Sequence, residues 1–512
     1  MTDNLGGRRL DALLDEACAR FAGSPALVDD ASTVTYGVLA ERARLLSGRL
    51  AAAGHRPGRP VLLAVDNRCA DLVCQLAAWR NGAVVVPVHR GSPAAAVAET
   101  AGRTGAEILL GDPAGTPESW EALLETGRDD WVRRLGAPAS GVPAELDAGQ
   151  ALVMFTSGST GRPKGVVVPH DAFAAKLDAI AAVLPFGSRE TTLHVLQLNF
   201  AFGQWTSLLT LLTGGTVHLV PRFTAEDVLR RLAARPFDRV AVVPSMIRMI
   251  LAELDDPAVR RRQAAAAGSP GVWITGGEPL SAGAGRRLRE LLPGSGIADV
   301  YGLSETSTSD FILTADRYDL DAGTIGRPGP RVTFMIAASD GTPCPEGVTG
   351  ELWLRTPYLM TGYLDDPEAT AATMTDGWFR TGDLARVPPG RDVVELMGRS
   401  KHLIVRGGIK ISPLEIQARY AEHPRCAGCL AVGMPDDLLN ERVHLLFVPR
   451  GDTPPDEAEL RTWARDRLEP YKVPDRVHIV ADLPAGRTGK ADTDAARRLV
   501  AELLGAAGGG TA

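Results

Sequence analysis

Phe155-Thr156-Ser157-Gly158-Ser159-Thr160-Gly161-Arg162-Pro163-Lys164-Gly165 follows directly on the apolar run Ala151-Leu152-Val153-Met154. Three glycines permit a tight turn and bring backbone N–H groups close to a ligand. Four hydroxyls add donors and one lysine adds a point charge, a combination suited to an oligophosphate. A flexible Ser/Gly linker would not need this density of features. The stretch is no P-loop, because Pro163 rather than glycine precedes Lys164 and no Ser or Thr follows it. It is no Gly-x-Gly-x-x-Gly loop either, so a P-loop NTPase and a nicotinamide dehydrogenase are both disfavoured. Lysine is scarce in the chain, six against 49 arginines, which makes a lysine inside a glycine-rich loop less expected by chance.

Around this loop, amphipathic stretches alternate with short apolar runs. LDALLDEACARF and YGVLAERARLLSGRLAAAG read as helices; PVLLAV, GAVVVPV, ALVMF, GTVHLV, RVAVVP, GVWIT and IADVYG read as strands. Such alternation predicts an α/β architecture with mainly parallel sheets. From about Pro328 the pattern changes to closely spaced strands and turns (RVTFMIA, SDGTPCPEG, GELWLR, DVVELMG), which predicts a β-rich subdomain. After Gly398-Arg399, LIVRGGIKISPLEIQARYAEH reads as strand, turn and helix, and a βα-type segment runs to about Leu504. The expected organisation is an N-terminal domain over 1–398, a hinge at 399–402, a small α+β domain over 403–505 and a flexible end over 506–512.

Composition narrows the function classes. The 512 residues are 45% apolar with a net charge of -7, enough for sizeable cores and without the basic footprint of a nucleic-acid or anionic-membrane binder. No apolar run reaches the 18 or so residues of a membrane span, and no apolar segment follows the N-terminal arginines as a signal peptide would require. A cytoplasmic location is expected. Six cysteines do not make a disulfide framework. Cys426-x-x-Cys429 has no second pair nearby and reads as packing residues rather than half a zinc site.

Further motifs occur in a fixed order: Tyr301-Gly302-Leu303-Ser304-Glu305-Thr306, Gly350-Glu351-Leu352-Trp353, Thr361-Gly362-Tyr363, Gly377-Trp378-Phe379-Arg380-Thr381-Gly382-Asp383-Leu384, Gly398-Arg399, Arg406-Gly407-Gly408-Ile409-Lys410-Ile411-Ser412-Pro413, and Thr488-Gly489-Lys490. With the 155–165 loop, this series resembles the adenylate-forming (AMP-binding) enzymes: acyl- and aryl-CoA synthetases and stand-alone peptide-synthetase adenylation domains. The resemblance spans about residues 10–505.

The resemblance implies a carboxylic acid activated with ATP and Mg2+ to an acyl-adenylate, then transferred to a pantetheine thiol of CoA or of a separate carrier protein. By that resemblance Thr156, Ser157, Gly158, Ser159, Thr160, Gly161 and Lys164 hold the β- and γ-phosphates. Ser304 contacts the α-phosphate and Glu305 binds the metal ion, a hard cation that favours carboxylate and phosphate oxygen. Tyr301 and Gly302 flank the adenine, with Gly276-Gly277-Glu278 as the neighbouring wall. Asp383 accepts hydrogen bonds from the ribose, with Arg399 beside it. Lys490 is the implied catalyst, bridging substrate carboxylate and phosphate oxygens from a mobile C-terminal domain. Lys401 takes the hinge position and Gly408 the thiol tunnel. One departure is Thr493, where an arginine often follows the catalytic lysine.

The implied acyl pocket comprises Asn199, Phe200, Ala201, Phe202, Trp205, Ile274, Gly276, Val300, Thr308 and Ser309. Amino-acid-activating members place an aspartate at the position of Ala201, and no acidic residue lies between Glu190 and Glu226. An unpaired buried ammonium costs several kcal/mol, so an acid lacking an α-amino group is expected, aryl or aliphatic. Asp310 is the first suspect for a substitute counter-charge. Asn199 reads either as a partner for a ring hydroxyl or as a turn residue; Phe200, Phe202 and Trp205 read either as pocket lining or as core. The other functional readings are a stand-alone enzyme that recognises an amino acid in another way, and a non-catalytic nucleotide binder.

Overall fold

The computed structural model describes residues 7–111, 121–124, 132–134, 146–156, 163–265, 269–399, 402–407, 409–451, 453–485 and 491–508. The predicted alternation builds two large sheets. In the nine-stranded sheet the order is Arg327–Pro328, Phe311–Leu313, Gly296–Tyr301, Val272–Gly276, Arg239–Val242, Thr191–His194, Thr216–Leu219, Pro25–Val28, Thr33–Thr35. The strands from Gly296–Tyr301 through Pro25–Val28 run parallel, and the remaining strands at both edges are antiparallel. The eight-stranded sheet has Pro60–Val65, Val84–His89, Ile108–Leu110 and Gln150–Thr156 in parallel. It adds the antiparallel strand Lys164–Pro169 beside Gln150–Thr156.

Helices lie between these sheets. In Leu10–Arg20 the buried residues are Leu10, Leu13, Leu14, Ala17 and Cys18, the i, i+3, i+4, i+7, i+8 stripe of a helix with one core face. Thr35 caps the next helix, Tyr36–Ala52, by accepting from the Val38 N–H. All six residues of Pro60–Val65 are buried, as expected for a parallel strand covered on both faces. One continuous apolar core joins these elements to helices Cys69–Arg80, His170–Val183 and Ala201–Leu212. Each fully buried Leu, Ile or Val contributes about 1.5–3 kcal/mol.

The β-rich subdomain is the antiparallel sheet Thr333–Ala337, Gly350–Arg355, Trp378–Arg386 and Met374–Thr375, with Glu395–Arg399 paired to Trp378–Arg386. The small C-terminal domain has its own sheet: Ile409–Ile411, Ile404–Arg406, Asn440–Pro449, Cys426–Asp436 and Arg476–Ile479. Separate apolar clusters cover its two faces.

One expectation needs correction. The segment after Arg399 is a hairpin, Ile404–Arg406 with Ile409–Ile411, before the helix Pro413–Tyr420; Ile404 pairs with Ile411 and Arg406 with Ile409. The last helix is Thr493–Gly508. Lys401, the expected hinge, lies outside the described residues, between the strand ending at Arg399 and the one starting at Ile404. Cys426 and Cys429 are free thiols, and the Cys429 thiol donates to the Gln417 carbonyl at 3.4 Å. Among the described residues no helix is long and apolar enough to cross a membrane.

Candidate active site

Parallel strands deliver their carboxyl ends to one edge of the nine-stranded sheet, and two adjacent ends form the site. Gly276 and Val300 pair in register, so the turn after Gly276 stands beside Tyr301 and the turn after it. A Cβ at Gly276 would sit 2.3 Å from the Val300 carbonyl oxygen, a contact only glycine avoids. Gly277 is left-handed at φ +83° and Glu278 pairs with Arg248 at 3.1 Å.

Past Tyr301 the backbone turns hard. A Cβ at Gly302 would lie 2.0 Å from the Ser309 nitrogen, so this position also admits glycine alone. Ser304–Thr306 forms a single 3-10 turn. Ser307, Thr308 and Ser309 then follow with φ of +56°, +73° and +46°. Three consecutive non-glycine residues in this region are uncommon, and a β-branched one is an outlier. Residues 301–305 are half-buried and 306–310 buried, so the turn presents Ser304 and Glu305 outward from a fixed base.

The β-rich subdomain supplies the opposite wall. Asp383 and Arg399 are cross-strand partners, and Arg399 Nε donates to Asp383 Oδ1 at 2.9 Å. The Tyr301 hydroxyl donates to Asp383 Oδ2 at 2.7 Å. Burial, together with the Asp383 charge, pushes the Tyr301 phenol well above its ordinary pKa, so it stays a donor. The Asp383 charge raises the Arg399 guanidinium in turn. The structure thus brings together three residues that are far apart in sequence.

Glu305 is held by a residue that sequence reading quoted but gave no role. The Tyr363 hydroxyl donates to Glu305 Oε1 at 2.8 Å, and the Met360 N–H donates to the Glu305 carbonyl at 2.8 Å. Burial and the Glu305 charge push the Tyr363 phenol up. Lys164 Nζ lies 4.4 Å over the Tyr363 ring, which joins the Gln150–Thr156/Lys164–Pro169 hairpin to the Glu305 turn. Among the described residues no group of three metal-capable side chains occurs. One carboxylate facing a polyphosphate, with the rest of the shell left to phosphate and water, is the donor set Mg2+ favours over an all-protein cage. Glu305 fits such an ion.

Thr156 pairs with Lys164 across the hairpin Gln150–Thr156/Lys164–Pro169. Ser157, Gly158, Ser159, Thr160 and Gly161, at its tip, lie outside the described residues, as do Gly408 and Lys490.

The proposed pocket positions Ala201, Trp205, Ile274 and Val300 fall in one apolar cluster, with Phe202 packed against it. Trp205 is wholly buried and stacks on Phe202 at 5.6 Å. Phe200 stands at the N-cap of Ala201–Leu212. Asn199 keeps a buried, unpartnered Oδ1. Thr308 and Ser309 are buried beside each other, their hydroxyls 3.5 Å apart.

Asp310 is not a free counter-charge. It binds Lys176 Nζ at 2.7 Å, and both side chains are almost fully buried, 1% exposed for Lys176 and 0% for Asp310. Burial lowers the Lys176 pKa and raises that of Asp310. The pair was missed in the sequence, although one of only six lysines standing in the mostly apolar stretch FAAKLDAIAAV was a usable signal. Also missed was the amide network that pins the Leu196–Asn199 segment. Gln75 and Gln204 exchange hydrogen bonds at 2.7 and 3.0 Å, and Asn67 Nδ2 donates to the Leu196 carbonyl at 2.8 Å.

Residues 14–364 match the AMP-binding enzyme family and residues 415–490 the AMP-binding enzyme C-terminal domain. Feruloyl-CoA synthase of an Amycolatopsis species is 32% identical over 471 residues, 90% of this chain and 92% of the relative. Sulfoacetate–CoA ligase of Cupriavidus necator is 30% identical over 504 residues, 94% and 96% of the two chains. ATP-bound MatB of Rhodopseudomonas palustris superposes with a TM-score of 0.82 over 97% of this chain and 100% of that one, at 24% identity, a likeness of fold.

Proposed function

From the premise that the chain belongs to the AMP-binding enzyme family and is an acid–thiol ligase, we propose that it activates a carboxylic acid lacking an α-amino group and passes the acyl group to a pantetheine thiol. The observation that carries this reading is the convergence of two groups at the Ser304-Glu305 turn: Tyr301, Asp383 and Arg399, joined by hydrogen bonds, and Lys164 and Tyr363, joined by a cation–ring contact. The first group suits a nucleoside and the second its phosphates.

In the first half-reaction the substrate carboxylate attacks the α-phosphorus of ATP. A carboxylate oxygen–phosphorus bond forms, the bond from the α-phosphorus to its bridging oxygen breaks, and pyrophosphate leaves. No base is needed, because the acid is already ionised. Negative charge accumulates on the α-phosphate oxygens, where preorganised donors are most effective. Ser304 supplies a hydroxyl there, and Lys490 an ammonium. Glu305 would hold Mg2+, which neutralises phosphate charge when bound. Asp383 orients the ribose through its two oxygens, themselves fixed by Tyr301 and Arg399. Thr156 to Gly161 and Lys164 cradle the outer phosphates, and Gly276-Gly277-Glu278 line the adenine side.

In the second half-reaction the pantetheine sulfur attacks the acyl carbon, the thiol proton leaves to solvent, and AMP departs. We place the sulfur's path beside Gly408 and the reorientation of the C-terminal domain at 399–402, around Lys401. CoA and a separate carrier protein present the same thiol. Mass spectrometry of the product with each distinguishes the acceptors.

The test separates the two steps. Lys490→Ala is expected to lose ATP–pyrophosphate exchange by at least about a thousandfold and to keep thioester formation from supplied acyl-adenylate. Equal loss of both steps would contradict the division of labour.

A further inference from the structure

The turn that carries Ser304 and Glu305 is strained at Ser307, Thr308 and Ser309, with φ of +56°, +73° and +46°. Left-handed non-glycine residues cost about 1–3 kcal/mol each and persist only where their surroundings over-determine them. Here the restraints are hydrogen bonds of Ser307, Thr308 and Asp310. Ser307 Oγ donates to the Tyr358 carbonyl at 2.8 Å. The Thr308 N–H donates to the Leu303 carbonyl at 2.8 Å. At the end of the run stands Asp310, whose carboxylate takes Lys176 Nζ at 2.7 Å on Oδ1 and the Thr306 hydroxyl on Oδ2. The Gly329 N–H holds the Asp310 carbonyl at 2.8 Å. Lys176 is fixed in its turn 4.5 Å over the Tyr358 ring.

This arrangement closes a ring through the site. Lys176 belongs to the helix His170–Val183, which continues directly from the strand Lys164–Pro169. The far end of that strand is Lys164, which lies over Tyr363, and Tyr363 holds Glu305. From Glu305 the chain passes to Thr306, Asp310 and back to Lys176. A buried ion pair contributes little net stability, because desolvation offsets attraction, whereas removing one partner leaves a buried charge uncompensated. A nonpolar pair would fill the same space without fixing a direction for Thr306.

We propose that Lys176 is a positioning residue for adenylation: through Asp310 and Thr306 it sets the left-handed turn that aims Ser304 and Glu305, and so couples that turn to the phosphate hairpin. The proposal rests on the reading that Ser304 and Glu305 act on ATP. It concerns neither substrate contact nor overall packing, and it predicts a signature that packing alone would not give.

Three variants test it: Lys176→Met, the neutral pair Lys176→Met/Asp310→Asn, and Thr306→Val, which keeps both charges and removes only the hydroxyl link. Hydrogen–deuterium exchange of the free protein is expected to quicken over residues 301–310 in all three and to stay unchanged in the C-terminal domain. In pyrophosphate exchange, kcat should fall on the order of 10²-fold, the effect of a small misplacement of reacting groups. KM for the acid should move by less than about tenfold, well under the change in kcat, because Thr308 and Ser309 are the only acyl-pocket positions on the loosened turn. If Lys176→Met fails to fold, the other two carry the test. A folded neutral pair or Thr306→Val with wild-type kcat and wild-type exchange at 301–310 would overturn the proposal. Should the wild-type protein give no pyrophosphate exchange with any acid, the adenylation reading fails instead, and the deuterium measurement still decides whether the pair holds the turn.

Discussion

Tyr363→Phe removes one oxygen and leaves the ring in place. In the wild type that oxygen donates to Glu305 Oε1 at 2.8 Å, while the ring face meets Lys164 Nζ at 4.4 Å. A hydrogen bond to a charged group contributes about 1.5–3 kcal/mol, and each 1.4 kcal/mol is about tenfold in an equilibrium. Tyr363 is only 7% exposed, so water does not readily take the vacated place. The variant should therefore lose about 10- to 100-fold in kcat/KM for ATP, with KM for the acid unchanged. Tyr363→Leu also removes the cation–ring contact, about 0.5–2 kcal/mol more, and should lose a further factor of about 2 to 30. The assay is ATP–pyrophosphate exchange at saturating acid with ATP varied, run beside thermal unfolding to confirm that each variant is folded. A Tyr363→Phe enzyme within about twofold of wild type would refute the reasoning that Glu305 is aimed by this phenol. Equal activity of the Phe and Leu variants would remove Lys164 from it.

Asp383→Asn keeps the shape of the proposed ribose site but leaves Arg399 without its counter-charge. KM for ATP should rise about tenfold or more, and the preference for ATP over 2′-deoxy-ATP should narrow; an undiminished preference would place the ribose elsewhere. His194 is wholly buried, with Nε2 unpartnered, and burial lowers its pKa from 6.5 to about 4. The unfolded chain therefore takes up this proton first as pH falls below about 6.5, and folded stability drops until about pH 4. Relative to His194→Gln, the wild type should lose about 2–3 kcal/mol between about pH 7 and pH 4.5, measured by urea unfolding at both values. A difference that stays flat across that window would mean that the imidazole takes up its proton in the fold as readily as in the unfolded chain.

Periodicity exposed most of the scaffold because the elements are local. A run such as PVLLAV, apolar throughout, has few options besides a doubly covered strand, and the stripe Leu10, Leu13, Leu14, Ala17, Cys18 admits one helical face. The segment after Arg399 was read less well, because a three-residue strand on each side of Gly407-Gly408 is too short to show a period. The Ser304-Glu305 turn and Asp383 were legible as motifs, but their joining was not. The hydrogen bond from Tyr301 to Asp383 spans 82 residues, and that from Tyr363 to Glu305 spans 58. Nothing local to either partner encodes such a meeting. Lys176 and Asp310 lie 134 residues apart. In sequence, Asp310 is an acid next to the expected pocket; only the fold reveals that a lysine has already neutralised it.

That neutralisation bears on the substrate. Ala201, the proposed position for an anion facing a substrate ammonium, is buried, Asp310 is engaged by Lys176, and Glu278 by Arg248. The most direct measurement is pyrophosphate exchange over a panel of acids that includes matched pairs, such as a phenylpropanoate against phenylalanine. The account predicts ATP-dependent exchange with at least one neutral acid, and for each pair an efficiency at least about a hundredfold higher for the acid without the amine. Stronger exchange with any α-amino acid than with its des-amino counterpart would contradict it.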